Sequence, residues 1–182
     1  MPPDRAADAA MYRYALGEDA AFGEVYDALA GRLYGYLLRR CGDRALAEDL
    51  VQQTFLRIHC NRGHFHEGAE LLPWAYSIAH RLLIDAWRRA GRTLPTANDS
   101  AHEPCAEEVL AARAVALRFE AELRRMPESQ RCAFELLKLE GLSLREAADS
   151  LGITVTAVKL RAHRAYAALR HALGDVADLG AS

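Results

Sequence analysis

The sequence predicts an all-α protein: two small helical domains joined by a flexible linker. Apolar residues recur at three- and four-residue spacing through most of the chain, and nothing reads convincingly as a strand. One stretch, Gly91 to Cys105 (GRTLPTANDSAHEPC), holds two prolines, small polar residues and no apolar period, and so separates two periodic blocks. The last block, Ser143 to Leu173, has the start, break and restart of a helix-turn-helix. The expected limits are a mobile N-terminal tail (1–15), a first domain (16–92), the linker (93–106), a second domain (107–174) and a C-terminal tail (175–182).

The totals agree with this division. A chain of 182 residues holds one medium or two small domains, and 51% hydrophobic with 26% charged residues is an ordinary globular composition. There is no charged-then-apolar leader, and every candidate membrane run is interrupted by Arg, Asp or Gln, so a cytoplasmic protein is expected. The four cysteines, Cys41, Cys60, Cys105 and Cys132, form no close pair and predict reduced thiols rather than a zinc finger or a disulfide framework. The formal net charge is −2, whereas a free-standing DNA-binding protein usually carries a positive excess.

Taken in order, Phe22, Val25, Tyr26, Leu29, Leu33, Leu37 and Leu38 fall at helical spacing in a helix from Asp19 to about Arg40, ended by Gly42. Asp43 caps the next helix, which reaches about Cys60. Its buried arc is Leu46, Ala47, Leu50, Val51, Thr54, Phe55 and Ile58. The opposite arc carries Asp49, Gln52, Gln53 and Leu56, an apolar side chain among acid and amide groups, which suits a protein-binding face.

Asn61 to Leu72 (NRGHFHEGAELL) reads as a loop offering His64, Phe65 and His66. Pro73 then opens a helix to about Ala90. Trp74, Ser77, Arg81 and Arg88 line one of its faces, and planar groups beside cations suit unstacked nucleic-acid bases. After the linker, a helix from Glu107 to Met126 offers Val109, Leu110, Leu117, Phe119, Leu123 and Met126 to a core. Pro127 opens another, which runs to Gly141 with Ala133, Phe134, Leu136, Leu137 and Leu139.

In the helix-turn-helix, Ser143 and Glu146 form a capping box, Leu151-Gly152-Ile153 breaks the first helix and Thr154 caps the second, which is expected to end at Gly174. Val158, Ala162, Ala165, Leu169 and Ala172 share one side; Thr156, Leu160, His163, Arg164 and Ala167 share the other, flanked by Lys159 and Arg161. No Asp or Glu occurs from Ile153 to Gly174, so this outward surface is cationic and suited to phosphates.

Other chemistry is weaker. His59, Cys60, His64 and His66 crowd into eight residues but fit no common zinc spacing, so no metal site is expected. There is no glycine-rich phosphate loop, no HExxH motif and no nucleophile with a recognisable base, so neither catalysis nor a cofactor is expected.

Four strings, AEDLVQQTFLRIH (47–59), LLPWAYSIAHRLLIDAWRR (71–89), MPESQRCAFELLKLEGLSLREAADSLGI (126–153) and AVKLRAHRAYAALR (157–170), resemble in this order a bacterial RNA polymerase sigma factor of the extracytoplasmic-function type. The resemblance covers most of residues 19–173. It implies that 19–92 is the second conserved sigma region and 107–173 the fourth, with the third region's domain absent.

The resemblance further implies that Asp49, Gln52, Gln53 and Leu56 dock on the β′ clamp of core RNA polymerase. It places His64, Phe65, His66, Trp74, Ser77, Arg81, Asp85 and Arg88 at the −10 promoter element, which is melted there with one base extruded. Thr156, Lys159, Leu160, Arg161, His163 and Arg164 are placed in the major groove of the −35 element. The linker would pass through the RNA-exit channel. The implied partners are core polymerase, through its β′ clamp and β flap, promoter DNA, and a cognate anti-sigma factor, often membrane-bound, that clamps both modules; the protein would be a monomer.

The chain departs from the family at Arg81, where Asn is usual, and at Ala157 and Leu160, where Thr and Ser are frequent. Arg81 can meet phosphate or guanine but cannot accept a hydrogen bond, and Leu160 can meet a thymine methyl, so promoter sequence does not transfer from relatives. Two other readings stand beside this one. An autonomous helix-turn-helix regulator with an N-terminal sensing domain would bind a palindrome without polymerase, but no heptad seam for dimerisation is present. A metal or redox sensor built on His59–His66 is the third.

Overall fold

The structure is a computed structural model that describes residues 3–91 and 107–177, all helices and connecting turns, with no strand among them. The chain divides into two units, Met1–Thr93 with Ala148–Gly152, and Leu94–Ala147 with Ile153–Ser182. Residues 92–106, which include the expected linker, lie outside the described residues.

The first unit is built from α1 (Pro3–Ala15), a short 3-10 turn (Asp19–Ala21), α2 (Phe22–Cys41), α3 (Arg44–Asn61), a second 3-10 turn (Arg62–His64) and α4 (Leu71–Arg89). Helix α1 occupies residues expected to be a tail. Its Ala7, Ala10, Met11 and Tyr14 stand at helical spacing and are at most 6% exposed, so the segment is held by a packed apolar stripe. The stripe escapes a sequence reading because two of its four residues are small alanines and two prolines lead the segment, yet proline at a helix start is well tolerated.

Helix α2 buries Val25, Leu29, Leu33, Tyr36 and Leu37. It ends where Gly42 adopts φ +67°, a left-handed conformation that closes the last turn with a 2.9 Å bond from its N–H to the Leu38 carbonyl. Asp43 caps α3, accepting from the Leu46 N–H at 3.2 Å. Ala47, Leu50, Val51, Phe55 and Ile58 turn inward, together with Thr54, whose hydroxyl donates to the Leu50 carbonyl at 2.7 Å. Burying each large aliphatic side chain contributes about 1.5–3 kcal/mol.

Helix α4 begins two residues before Pro73, because Leu71 and Leu72 enter the core with Ala75, Tyr76, Ala79, Leu82, Leu83 and Trp87. Arg40 is buried among aromatic rings, its guanidinium carbon 5.2 Å from the Tyr36 ring centre and 6.0 Å from that of Trp87.

In the second unit, α5 (Glu107–Arg125) and α8 (Val155–Ala177) pack together, and α6 (Glu128–Lys138) lies against α8. Leu123, Met126, Phe134, Ala165 and Leu169 form the core, with Phe119 and Ala168 at its edge. Leu117 and Leu139, expected inside, are 51% and 45% exposed. Part of the buried volume is taken instead by charge. Arg131 lies 3.0 Å from Glu128 and 3.7 Å from Glu135, with none of the three side chains more than 5% exposed. Removing one partner of such a buried group typically costs about 3–5 kcal/mol.

Helix α7 (Leu144–Leu151) starts in the expected capping box, with Ser143 N–H donating to Glu146 and Glu146 N–H donating to the Ser143 hydroxyl at 3.2 Å. Gly152, at φ +65°, makes the turn, and Thr154 accepts from the Ala157 N–H at 3.2 Å to cap α8. The helix passes through Gly174 and reaches Ala177, because one interior glycine costs only about 1 kcal/mol.

Candidate polymerase and nucleic-acid interface

Three surfaces carry the residues singled out in the sequence. The first lies where α3 ends and α4 begins. The Phe65 side chain turns inward, 7% exposed, with its ring centre 5.4 Å from that of Trp74. It supports the indole from behind and does not itself offer a stacking face, which corrects the expectation for this residue. In front lies an open cleft of about 390 Å³. His64, Trp74, Arg81 and Asp85 line it, as the sequence reading groups them. Arg57 and Asn61 from the last turns of α3 and Ile78 and Leu82 from α4 complete it.

Those four additions were missed for definite reasons. Ile78 and Leu82 read as core residues on the wheel, and Leu82 is indeed only 8% exposed. Arg57 and Asn61 reach the cleft from a different helix, for which spacing along α4 carries no signal. Asn61 is fixed by donating its side-chain amide to the Arg57 carbonyl at 2.8 Å.

The remaining expected residues fall outside the cleft lining. Ser77 is half-buried, and its hydroxyl donates to the Trp74 carbonyl at 2.7 Å. Arg88 is exposed one turn beyond and lies 3.9 Å from Asp85. His66 is exposed, with Nδ1 3.1 Å from the Glu67 carbonyl. The cleft thus combines an indole face, an apolar floor, several cationic or amide donors and one carboxylate. That set accommodates a flat polar ring attached to a phosphate chain.

Behind the cleft helix, His80 lies 3.2 Å from the Tyr36 hydroxyl through Nδ1. Burial, reinforced by the charges of Arg40 and Arg81, pushes its pKa down to about 4, so the ring stays neutral at neutral pH.

The second surface is the outward arc of α3. Asp49, Gln52 and Leu56 are exposed, Leu56 at 61%, while Gln53 is half-buried and donates to Asp49 at 2.6 Å. The third is α8, where Thr156, Lys159, Leu160, His163 and Arg164 are exposed and Arg161 sits half-buried at the flank. Val158, Ala165 and Leu169 face inward. Tyr166, which periodicity had not singled out, is 55% exposed on this helix. Among the described residues, no three His, Cys, Asp or Glu side chains gather in a way that would hold a metal ion. No described helix is long and apolar enough to cross a membrane.

Residues 25–93 match the Sigma-70 region 2 family and residues 116–169 match the family described as Sigma-70, region 4. Over 170 residues the chain is 36% identical to the ECF RNA polymerase sigma factor SigF of Caulobacter vibrioides, covering 88% of this chain and 90% of that one. The chain belongs to the ECF RNA polymerase sigma factors. This sigma factor is also 33% identical over 168 residues to the RNA polymerase sigma factor CarQ of Myxococcus xanthus, covering 91% of its own length and 97% of CarQ. Among solved structures it resembles CnrH, determined in complex with the cytosolic domain of CnrY, with a TM-score of 0.68, 26% identity, and coverage of 93% and 98% of the two chains. The fold is shared with the sigma factor RpoE determined with the anti-sigma factor NepR from Bartonella quintana, at a TM-score of 0.67, 22% identity and coverage of 84% and 96%. The alternative of an autonomous regulator finds no support in these matches.

Proposed function

We propose that this sigma factor joins core RNA polymerase through Asp49, Gln52, Gln53 and Leu56, opens and reads the −10 element at the α3–α4 cleft, and reads the −35 element with α8. It performs no chemistry of its own; the polymerase supplies catalysis, in the cytoplasm. The observation that carries the reading is the cleft, where Trp74, His64, Arg81 and Asp85 come together with Arg57 and Asn61 beside an apolar floor.

The energetics favour a shared reader over an independent one. A single helix with a few cations binds DNA at about 10⁻⁴–10⁻⁶ M. Anchoring both modules to one polymerase makes the second contact intramolecular, at roughly millimolar effective concentration. Specificity then lies in having both promoter elements at the correct separation. Opening costs a few kcal/mol per unstacked base, and stacking on Trp74 offsets about 1–3 kcal/mol of it.

Control by an anti-sigma factor follows the same logic, since a protein covering the α3 and α8 faces blocks both partners. The resemblance to CnrH, seen bound to the cytosolic domain of CnrY, supports this part of the reading. The deciding experiment is run-off transcription with core polymerase, with and without this protein, on DNA upstream of its own gene. A discrete transcript that depends on the protein is expected. Specific binding to a palindrome without polymerase, and no dependent transcript, would overturn the reading.

A further inference from the structure

The resemblance to region 2 begins at residue 25, so α1 lies wholly outside it. Yet α1 touches both ends of the segment that forms one wall of the cleft. At the far end, the Asp8 carboxylate accepts from the Leu71 N–H at 2.7 Å. Leu71 is the first residue of α4, and its own N-cap, Glu70, provides no side-chain cap. Asp8 therefore satisfies one of the free amides at the start of α4 from 63 residues away, with a negative charge at the positive end of the helix.

At the near end, the Tyr14 hydroxyl lies 2.5 Å from His59 Nδ1. Burial raises the Tyr14 pKa, so the hydroxyl keeps its proton and stays a neutral hydrogen-bond partner of the ring. Arg62 stacks over the Tyr14 ring at 5.5 Å and also donates to the His59 carbonyl at 3.0 Å. Between these anchors run Asn61 and His64, which line the cleft, and Phe65, which supports Trp74.

We propose that α1 is a positioning element for the −10 site, with Asp8 and Tyr14 as positioning residues that clamp the His59–Leu71 segment at both ends and so hold the cleft open to an extruded base. The proposal rests on the sigma reading for the identity of the ligand and on the hydrogen bonds alone for the clamp. Rigidity matters here because a cleft that must first order its own wall binds an extruded base less tightly.

Full-length Asp8→Ala, Tyr14→Phe and Asp8→Asn are compared with the parent by two readouts. In amide hydrogen exchange of the free protein, Asp8→Ala and Tyr14→Phe speed exchange within residues 59–72 while the α2 and α3 core is unchanged. Asp8→Asn, whose side-chain carbonyl still accepts, stays near the parent. Unchanged exchange in 59–72, or a uniform rise across the unit, overturns the clamp whether or not the protein acts in transcription. In run-off assays, the double variant Asp8→Ala/Tyr14→Phe lowers output from a duplex promoter about tenfold, the effect of 1.4 kcal/mol. Output from the same promoter with the −10 region already unpaired stays within about twofold of the parent. Equal loss on both templates would overturn the positioning role, whereas a parent protein that supports no transcript at all would fail the sigma reading and leave the exchange result to decide the clamp.

Discussion

The Tyr36 hydroxyl and the His80 ring meet at 3.2 Å between α2 and α4, behind the helix that carries Trp74 and Arg81. Burial there holds His80 at a pKa of about 4, well below its ordinary 6.5. Above pH 6.5 the ring is neutral in both folded and unfolded chains. As pH falls from 6.5 towards 4, the unfolded chain takes up a proton that the folded one refuses, so stability is lost across that window. The loss is on the order of 3 kcal/mol when complete. Denaturant unfolding at pH 7 and pH 5 is expected to show a larger drop for the parent than for His80→Gln. Equal drops would show that His80 does not carry this dependence.

On α3, Gln53 and Asp49 are joined by a 2.6 Å hydrogen bond at the surface, an i,i+4 pair whose contribution to stability is only about 0.2–0.5 kcal/mol. Asp49→Arg with Gln53→Arg is therefore expected to leave the melting temperature nearly unchanged and to abolish co-purification with core polymerase. Undiminished co-purification would place the docking face elsewhere.

On α8, His163→Ala with Arg164→Ala is expected to weaken −35 recognition by about tenfold or more, since a lost base contact costs roughly 1–3 kcal/mol. Polymerase binding should be unaffected. Lys159→Ala is expected to lower the salt dependence of DNA binding by about one phosphate's share, with little change in sequence preference. Unaltered output from a −35-dependent promoter would show that another surface reads that element.

At the cleft, Trp74→Ala removes a stacking face and is expected to lower binding of single-stranded −10 DNA by roughly 1–3 kcal/mol, about five- to 150-fold. Arg88→Ala, one turn outside the cleft, should change it far less. Fluorescence-anisotropy titration of the holoenzyme with labelled oligonucleotide separates the two, and an equal effect of both substitutions would rule out a cleft-centred site.

Much of this architecture is local, and what is local was legible. The caps at Asp43, Ser143 with Glu146, and Thr154 are short-range hydrogen bonds between neighbouring residues, and each forms where the residue types ask for it. The outward faces of α3 and α8 likewise follow from the helical repeat. What spacing cannot show is which distant segments meet. Arg57 and Asn61 enter the cleft from another helix, and Phe65 turns inward because Trp74 offers it a ring. The burial of Arg131 with Glu128 and Glu135 reads on a wheel as a solvated charged face, because tertiary packing alone decides its exposure.

Helix α1 has a practical consequence for anyone cutting the chain by resemblance. A polypeptide begun at Val25 would lose Ala10, Met11, Tyr14 and Ala21, each at most 3% exposed, and would bare the apolar surface of α2 and α4 against which α1 packs. Such a fragment would be prone to self-association, although every residue matching the Sigma-70 region 2 family is present. The stretch that matches the region 2 family is shorter than the packed unit that contains it, and the shorter of the two is the wrong one to express.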